Sequence, residues 1–526
     1  GTFICVLAAM TAITGISLLQ QLHGAAPIEI LTGGEKPPYA INLRVGLNEA
    51  FFAFSVNLVG LIGAYYVLRE KYGTILIYLL LVMGIQGMVM TRDLFNLFVF
   101  LEIVSVATYG LLSLKGSSAA LSATFKYIMA TVLASNLFLI GTVFLYVTVG
   151  LLNIDELIAN KEAIVGPIGF AALIFLLASL LLELKPFPAN GWGLDVYETA
   201  RGDVAALISG GVSTGVFFAL FKLLPLFDDQ LELIAASGVL TFVVSNLIGL
   251  QQTTAKRLLG YSSIGQIGLL TSAACLLRLA NADGASFLLV VGGLFANHLF
   301  AKVGLFWLAD YVGKQRLQDW SALRKQPLTL VTFGILLAAI SGFPPFPGFW
   351  AKWQFVIILA QNERYAWIAL ILAGSLLEAA YLFRWFGQTL HGSDELESAP
   401  ANRGALPPIY AMAALLIIGG IFAATVVGQT ATWVAIPLVA GVLVLALAWS
   451  PTQFQGLAVL ALALLGGGWL IRDVAGLNRI FALLLLVGGV VVSIGSLYRS
   501  DKRPGFYPLL AVLLLSLPAL PRASTT

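Results

Sequence analysis

Charge, cysteine and histidine are all scarce in this chain. Only 10% of its 526 residues are charged, and it contains two cysteines and three histidines. Cys5 and Cys275 stand far apart in apolar segments with no CxxC spacing, so they predict neither a disulfide framework nor a metal site. Three histidines argue against haem carriage through paired axial ligands. We therefore predict no cofactor and no metal in this chain, and no redox site of its own.

Long polar segments are lacking as well. The net charge of +3 is spread over many loops without a basic patch, so we predict no nucleic-acid partner. No stretch between apolar runs is long enough for a soluble domain, which assigns any catalysis in water to partner subunits. The chain opens in an apolar run, GTFICVLAAM, without an initiator methionine, and a missing start and processing are both open.

Apolar sequence, in contrast, is abundant. Hydrophobic residues make up 59% of the chain, in runs long enough to cross a hydrocarbon layer of about 30 Å. We predict an all-α polytopic membrane protein with roughly sixteen or seventeen spans. These spans lie near 2–19, 46–67, 73–90, 94–113, 120–149, 166–185, 203–226, 234–250, 257–277, 286–309, 328–361, 365–387, 408–427, 432–449, 456–471, 477–497 and 506–520.

Alternating the loops between two sides separates basic from acidic residues. One side collects Arg69, Lys71, Lys115, Lys256, Arg257, Lys314, Arg316, Arg324, Lys325, Arg403, Arg499, Lys502 and Arg503. The other collects Asp155, Glu156, Glu162, Asp228, Asp229 and Glu232. The positive-inside rule makes the basic side cytoplasmic.

Two of the predicted spans are interrupted by prolines. The first reads LLLELKPFPANGWG, where the break follows Lys185, and the second reads AAISGFPPFPGFWAKWQF, where the break precedes Lys352. Broken helices in corresponding positions of two halves indicate inverted repeats with an ion path at the breaks. A re-entrant loop or ordinary kinked helices are the alternatives.

Several titratable side chains lie deep inside predicted spans, where a charge is costly and therefore indicates function. They are Glu102, Lys185, His298, Lys302, Lys352 and Glu378. His298 and Lys302 share a helix face because they are four residues apart, whereas Glu378 fits a structural pair with a neighbouring helix. We expect Lys222 and Arg384 to reach the interface, and for Lys126 both an interfacial and a pathway role are open.

Proton transfer is the chemistry that such buried groups allow. A Glu–Lys pair at about 4 Å gains roughly 4 kcal/mol at an effective dielectric near 20. Forming and breaking that pair switches a lysine between holding and releasing a proton. We predict that Glu102 meets Lys185 in this way.

Five motifs in order carry a resemblance to a known family. They are DLFNLFVFLE, LKPFPANGWGLDVYE, QTTAKRLLGYSSIGQIG, NHLFAK and GFPPFPGFWAK. Together they resemble, over about residues 40–390, the antiporter-like subunits of respiratory complex I, of Mrp-type Na+/H+ antiporters and of membrane-bound hydrogenases. The resemblance implies two inverted five-helix repeats and a polar axis formed by Glu102, Lys185, His298, Lys302 and Lys352. The corresponding division is 1–91, 92–226 (first repeat), 227–392 (second repeat) and 405–526 (additional helices).

The chain departs from the family pattern at two places. Thr214 stands where many members have a lysine, which puts the link between Lys185 and the central axis in doubt. ETARGDVAAL replaces an Ala-Pro-rich run and places Arg201 and Asp203 where the family is neutral. These two supply either a substitute charge or only a surface pair.

The resulting hypothesis is a subunit that moves ions, with H+ as the favoured ion, within a larger membrane complex in the prokaryotic plasma membrane. Partner redox chemistry or an opposing Na+ gradient would supply the energy, and whether the parent complex is an enzyme such as an NADH:quinone oxidoreductase or hydrogenase is open. The alternatives are a Na+/H+ antiport module, a stand-alone carrier and a non-pumping scaffold. The expected partners are other membrane subunits and the lipid bilayer.

Overall fold

The computed structural model of the chain describes residues 2–114, 116–391 and 403–426. Within these residues the chain is mostly helical, and eleven helical segments are long and apolar enough to cross a membrane. The chain is therefore an integral, multi-pass membrane protein. Every span predicted up to residue 427 has a helical counterpart. The four spans predicted from 432 to 520 lie outside the described residues.

The N-terminal part holds three long helices and one hairpin. Its elements are α1 (Thr2–Leu22), β1 (Ile28–Leu31), β2 (Asn42–Val45), α2 (Leu47–Val67) and α3 (Tyr72–Met90). The two strands pair antiparallel, with Ile28 opposite Val45. This hairpin is a departure from the all-helical expectation, since four-residue strands inside a loop carry too few residues for a readable alternation.

The next part runs to the middle of the chain. Its helices are α4 (Leu94–Ser113), α5 (Ser118–Val149), α6 (Ile154–Ala159), α7 (Gly166–Glu183), α8 (Gly191–Thr199), α9 (Gly202–Leu207) and α10 (Ser213–Leu223). A π-helical segment, Ile208–Val212, joins α9 to α10.

The remaining described residues form a similar series. They comprise α11 (Leu231–Gly249), α12 (Ala255–Leu279), α13 (Gly284–Phe287), α14 (Gly293–Val312), α15 (Pro327–Ser341), α16 (Pro347–Gln361), α17 (Tyr365–His391) and α18 (Pro407–Val426). A second π-helical segment, Leu288–Gly292, joins α13 to α14.

Both predicted helix interruptions are confirmed. After α7, Lys185 adopts a left-handed backbone with φ of 61°, and the chain becomes helical again only at α8. After α15, Gly342 caps the helix with φ of 80°, which glycine tolerates without steric cost, and α16 begins five residues later at Pro347. The division into two inverted repeats stays a prediction.

The helices that carry the candidate titratable residues of the centre lie in the interior of the bundle. Within an apolar stretch of 18 residues in each segment, the share of residues buried inside the protein reaches 94% between α9 and α11, 89% in α12 and 83% in α13–α14. It falls to 22% in α1 and 28% in α17, which lie at the periphery. His298 and Lys302 on α14 are therefore at the centre of the bundle, surrounded by protein on all sides.

Loops that were assigned to the same side lie close together. Lys161 pairs with Asp228 at 2.6 Å among the loops of the acidic group. Lys256 pairs with Asp310 at 2.7 Å, and Thr254 forms an isolated bridge with Arg316. These contacts agree with the separation of basic and acidic loops. The cytoplasmic orientation of the basic side stays a prediction.

Candidate ion-translocation site

Lys185 is held at the first helix break by packing on both sides. Its side chain is 2% exposed, and its Nζ donates to the Glu183 carbonyl oxygen and to Ser213 Oγ, both at 3.2 Å. The ammonium also lies 5.1 Å from the centre of the Trp192 ring. A Cβ on Gly193 would lie 2.5 Å from Lys185 Cδ, so only glycine allows α8 to approach this closely. A left-handed lysine costs about 1–3 kcal/mol, and the surrounding contacts hold it there.

Glu102 does not form the predicted ion pair with Lys185 in this structure. Its carboxylate accepts a hydrogen bond from Ser135 on α5, while the Lys185 ammonium turns toward Ser213. Glu183, at the end of α7, interacts electrostatically with both Lys185 and Glu102 and is 7% exposed. The sequence analysis missed Glu183, although a carboxylate inside the apolar run LLLELK meets the same criterion that selects Glu102. The acid nearest to Lys185 in sequence thus interacts with both predicted partners.

A row of hydroxyl groups leads from Lys185 toward the centre of the bundle. Ser213 Oγ lies 3.3 Å from the Tyr197 phenolic oxygen, and Ser263 Oγ donates to that oxygen at 3.5 Å. Ser263 in turn bonds Ser209 through their hydroxyls at 2.6 Å. The ring of His298 reaches the same residue, with Nε2 at 3.2 Å from the Ser209 carbonyl oxygen. All five side chains are buried.

The central amine, Lys302, is connected to an acid through one hydroxyl. Lys302 is 0% exposed and donates to Ser262 Oγ, and Ser262 donates to Glu378 Oε1 at 2.6 Å. Gln266 donates to the other oxygen of Glu378. His298 lies one turn from Lys302 on α14, as its spacing predicts, and the two interact electrostatically.

Lys352, after the second break, approaches the same acid from the other side. Its Nζ lies 4.0 Å from Glu378 Oε2 and 5.8 Å from the centre of the Phe242 ring. A Cβ on Gly342 would lie 3.0 Å from Lys352 Nζ, so the glycine at the end of α15 makes room for the amine. The carboxylate of Glu378, which fits a purely structural pair on sequence grounds, therefore lies between the two lysines Lys302 and Lys352.

Of the residues predicted as possible accessories, Glu378 joins these contacts, whereas Lys126, Thr214, Arg201 and Asp203 have other partners. Lys126 has a half-exposed side chain that pairs with Asp195 at 2.6 Å. Arg201 bonds Asp203 at 2.8 Å and Glu70 at 2.7 Å. Thr214 turns back on its own helix, and its hydroxyl donates to the carbonyl oxygens of Gly210 and Gly211. None of these described contacts includes Lys185 or His298.

Lys222, which was expected to reach the membrane interface, is covered by protein. It is 5% exposed and donates to the carbonyl oxygens of Met88, Val89 and Thr91 at the end of α3. Helix ends leave carbonyl groups without partners, and a buried ammonium satisfies them. Arg384 caps a helix end in the same manner, through the Leu250 and Gln252 carbonyl oxygens, but from an exposed position.

Comparison with known proteins decides the family. The sequence profile of the NADH:quinone oxidoreductase/Mrp antiporter transmembrane family matches residues 91–378. The chain belongs to this family. The match spans α4 to α17 and so includes both helix breaks and all the buried lysines described above. The resemblance predicted from the five motifs is confirmed.

Relatives at the level of whole chains agree. A Na(+)/H(+) antiporter subunit of Alkalihalophilus pseudofirmus is 30% identical over 439 residues, which cover 78% of this chain and 86% of the relative. An NADH-quinone oxidoreductase subunit of Desulforudis audaxviator is 29% identical over 408 residues, or 72% and 79% of the two chains. Among solved structures, a chain of an archaeal membrane-bound sulfane sulfur reductase superposes with a TM-score of 0.73 at 27% identity, covering 82% of this chain and 93% of that one. This protein is thus an antiporter-like membrane subunit, and its relatives are subunits of multi-subunit complexes.

Proposed function

We propose that this chain moves protons across the membrane as one subunit of a larger redox-driven or Mrp-type complex. The observation that carries the proposal is the arrangement of Lys185, Lys302 and Lys352, three buried amines connected to hydroxyl and carboxyl groups through the interior of the bundle. Burying an unpaired amine costs free energy, so buried amines indicate either pairing or a function. Each amine has a polar neighbour through which a proton can leave.

The carboxylates set where the proton rests. Glu378 lies between Lys302 and Lys352, so it stabilises an ammonium on either side of it. Glu183 exerts the same influence on Lys185, and Glu102 in turn acts on Glu183. A proton that moves from one amine to the next therefore changes the attraction felt by its neighbours, and His298 receives it beside Lys302.

The path suits a proton better than a sodium ion. An amine that holds a proton repels a second cation, whereas the same amine passes a proton by losing it to a neighbour. A sodium ion would have to replace its water shell with oxygen ligands beside at least one ammonium. Na+ enters this proposal only as the counter-ion of a Na+/H+ exchange, as the name of the Alkalihalophilus relative indicates for that protein.

The proposal is tested by replacing Lys185 with alanine in the native complex. Inverted membrane vesicles that contain the complex are energised, and proton uptake is followed with a fluorescent ΔpH probe. We expect Lys185→Ala to abolish uptake while the amount of assembled complex stays unchanged, because the change removes a buried charge and leaves a small side chain. Lys161→Ala is the matched control, since Lys161 is a half-exposed loop amine paired with Asp228.

Three outcomes decide between the hypotheses. Unchanged uptake by Lys185→Ala vesicles contradicts the proposed path. Transport by the purified single chain in liposomes favours a stand-alone carrier. A wild-type complex that assembles but moves no ion at all identifies a scaffold. Subunits that co-purify with the chain, whether iron–sulfur proteins or small membrane chains, identify the energy source.

A further inference from the structure

A gap in the proposed path lies between Lys185 and His298. The described hydrogen bonds of Lys185 lead to Ser213 and to the Glu183 carbonyl oxygen, and none leads to Thr214. The Thr214 hydroxyl donates to the Gly210 and Gly211 carbonyl oxygens instead. Some other group has to carry the proton across this part of the bundle.

We propose that Tyr197, with the serines Ser213, Ser263 and Ser209, forms a hydroxyl bridge that carries protons from Lys185 to His298. The inference rests on the proposed function and names the residues that join the two halves of its path. The bridge is a row of hydroxyls on three elements: Tyr197 on α8, Ser209 and Ser213 around the π-helical segment Ile208–Val212, and Ser263 on α12. It begins at Lys185 Nζ and ends at Ser209, whose carbonyl oxygen bonds the His298 ring.

Burial isolates the bridge from solvent and lipid. Tyr197 is 1% exposed and stacks on Phe306, with the ring centres 5.6 Å apart. Ser209 and Ser263 are 0% exposed and Ser213 is 2% exposed. Buried hydroxyls have to bond each other or the backbone; here they bond each other, and Ser213 also donates to the Ile208 carbonyl oxygen. A row of mutually bonded hydroxyls is unusual among apolar helices, where a serine most often bonds a carbonyl oxygen of its own helix.

The π-helical segment explains how two of these serines reach the row. The wider turn places the Ser213 amide and hydroxyl on the Ile208 carbonyl oxygen, five residues back, with the hydroxyl at 3.0 Å. Ser213 still reaches Lys185 and Tyr197, while Ser209, inside the wide turn, reaches Ser263. Single π turns are frequent at functional sites. This turn sets both ends of the bridge on one short stretch of chain.

The transfer conserves charge at every hydroxyl, because each is both donor and acceptor. In this structure the Ser213 hydroxyl donates to the Ile208 carbonyl oxygen and the Ser263 hydroxyl donates to Tyr197, so both turn first, Ser213 toward the Tyr197 oxygen and Ser263 toward Ser209. A proton then leaves the Lys185 ammonium for Ser213 Oγ as the proton of Ser213 passes to the Tyr197 oxygen. The proton of Tyr197 then passes to Ser263, and that of Ser263 to Ser209. One water carries the last proton from Ser209 Oγ to the His298 ring, where Nδ1 accepts it because Nε2 faces a carbonyl oxygen. Lys185 ends neutral, His298 ends as a cation, and rotation of the hydroxyls restores the row.

The test removes single hydroxyls in the native complex. Tyr197→Phe keeps the ring that stacks on Phe306, and Ser263→Ala removes one oxygen. We expect each variant to lower proton uptake by vesicles at least tenfold. The double variant should fall no further than the lower single variant, because the two groups act in series. Tyr78→Phe is the matched control, a buried tyrosine whose hydroxyl donates to the Gly60 carbonyl oxygen outside the row.

A structural role for Tyr197 would give a different pattern. Tyr197→Phe would then lower the melting temperature of the purified complex more than Tyr78→Phe does, and the losses of proton uptake in the two single variants would multiply in the double variant. Either result overturns the bridge. Wild-type uptake by Tyr197→Phe, in the same preparation in which Lys185→Ala is inactive, overturns the bridge and leaves the proposed function standing. Wild-type uptake by Lys185→Ala contradicts the proposed function itself.

Discussion

Glu378 offers the sharpest test of the second half of the path. Its Oε2 lies 4.0 Å from the Lys352 ammonium, and its Oε1 accepts the hydroxyl that Lys302 bonds. Two unit charges 4 Å apart attract by about 4 kcal/mol at an effective dielectric near 20. Since each 1.36 kcal/mol is a factor of ten, this attraction is worth about a thousandfold in the equilibrium that holds a proton on Lys352.

Replacement of Glu378 by glutamine removes this attraction and keeps the shape. The new amide oxygen still accepts from Ser262, and the side-chain amide of Gln266 can turn to accept from the new NH2 group. We therefore expect Glu378→Gln to lower vesicle proton uptake at least tenfold while the melting temperature and the amount of assembled complex stay close to those of the wild type.

The control makes the same change at an exposed pair. Glu232 bonds Arg364 at 2.6 Å, but its side chain is 63% exposed, and such surface pairs contribute about 0–1 kcal/mol. Glu232→Gln should leave uptake unchanged. Wild-type uptake by Glu378→Gln would refute the reasoning, because it would mean that Lys302 and Lys352 exchange protons without the acid between them.

Two further predictions concern the first half and the loops. Gly193→Ala places a Cβ 2.5 Å from Lys185 Cδ. Because it displaces that amine, it should lower proton uptake severalfold with little change in melting temperature. Gly191→Ala, whose Cβ would have nothing within 4 Å, should leave both uptake and melting temperature unchanged. At Asp155, burial is outweighed by the hydrogen bonds and charge of Arg92, which hold the pKa of this loop carboxyl below its usual value. A carboxyl whose pKa is lowered in the folded protein stabilises the fold above its ordinary pKa, and this stabilisation is lost as the pH falls through the pKa of the folded state. The melting temperature of the purified protein should therefore drop below about pH 4, and it should drop less in Asp155→Asn. A pH scan of the melting temperatures of both proteins checks this result.

The spans and breaks were accessible to prediction for a simple reason. Membrane helices are read from apolar runs, because each backbone polar group in lipid has to bond within its own segment. The prolines after Lys185 and before Lys352 mark the breaks, since proline removes a donor from the helix. The hairpin Ile28–Val45 was not predicted, because its strands are short and lie within a polar loop.

The contacts among the polar groups were not accessible in the same way. Glu102 was expected to pair with Lys185, but Ser135 donates to its carboxylate, and Glu183 interacts electrostatically with both residues. Tyr197 has no mark in the sequence, because a tyrosine on a short helix is more often a packing residue than a proton carrier. Its hydroxyl partners, Ser213 and Ser263, come from two other helices.

Residue types alone establish that this protein lies in a bilayer and where its helices break, because solvation costs act on each segment independently of the others. The order of five motifs indicates its family. Helix packing establishes the rest. Glu378 interacts with two lysines, and Thr214 bonds only its own helix, because of the way α9–α10, α12, α14, α16 and α17 pack together. Hydrogen bonds of about 3 Å depend on this packing more than on distance along the chain.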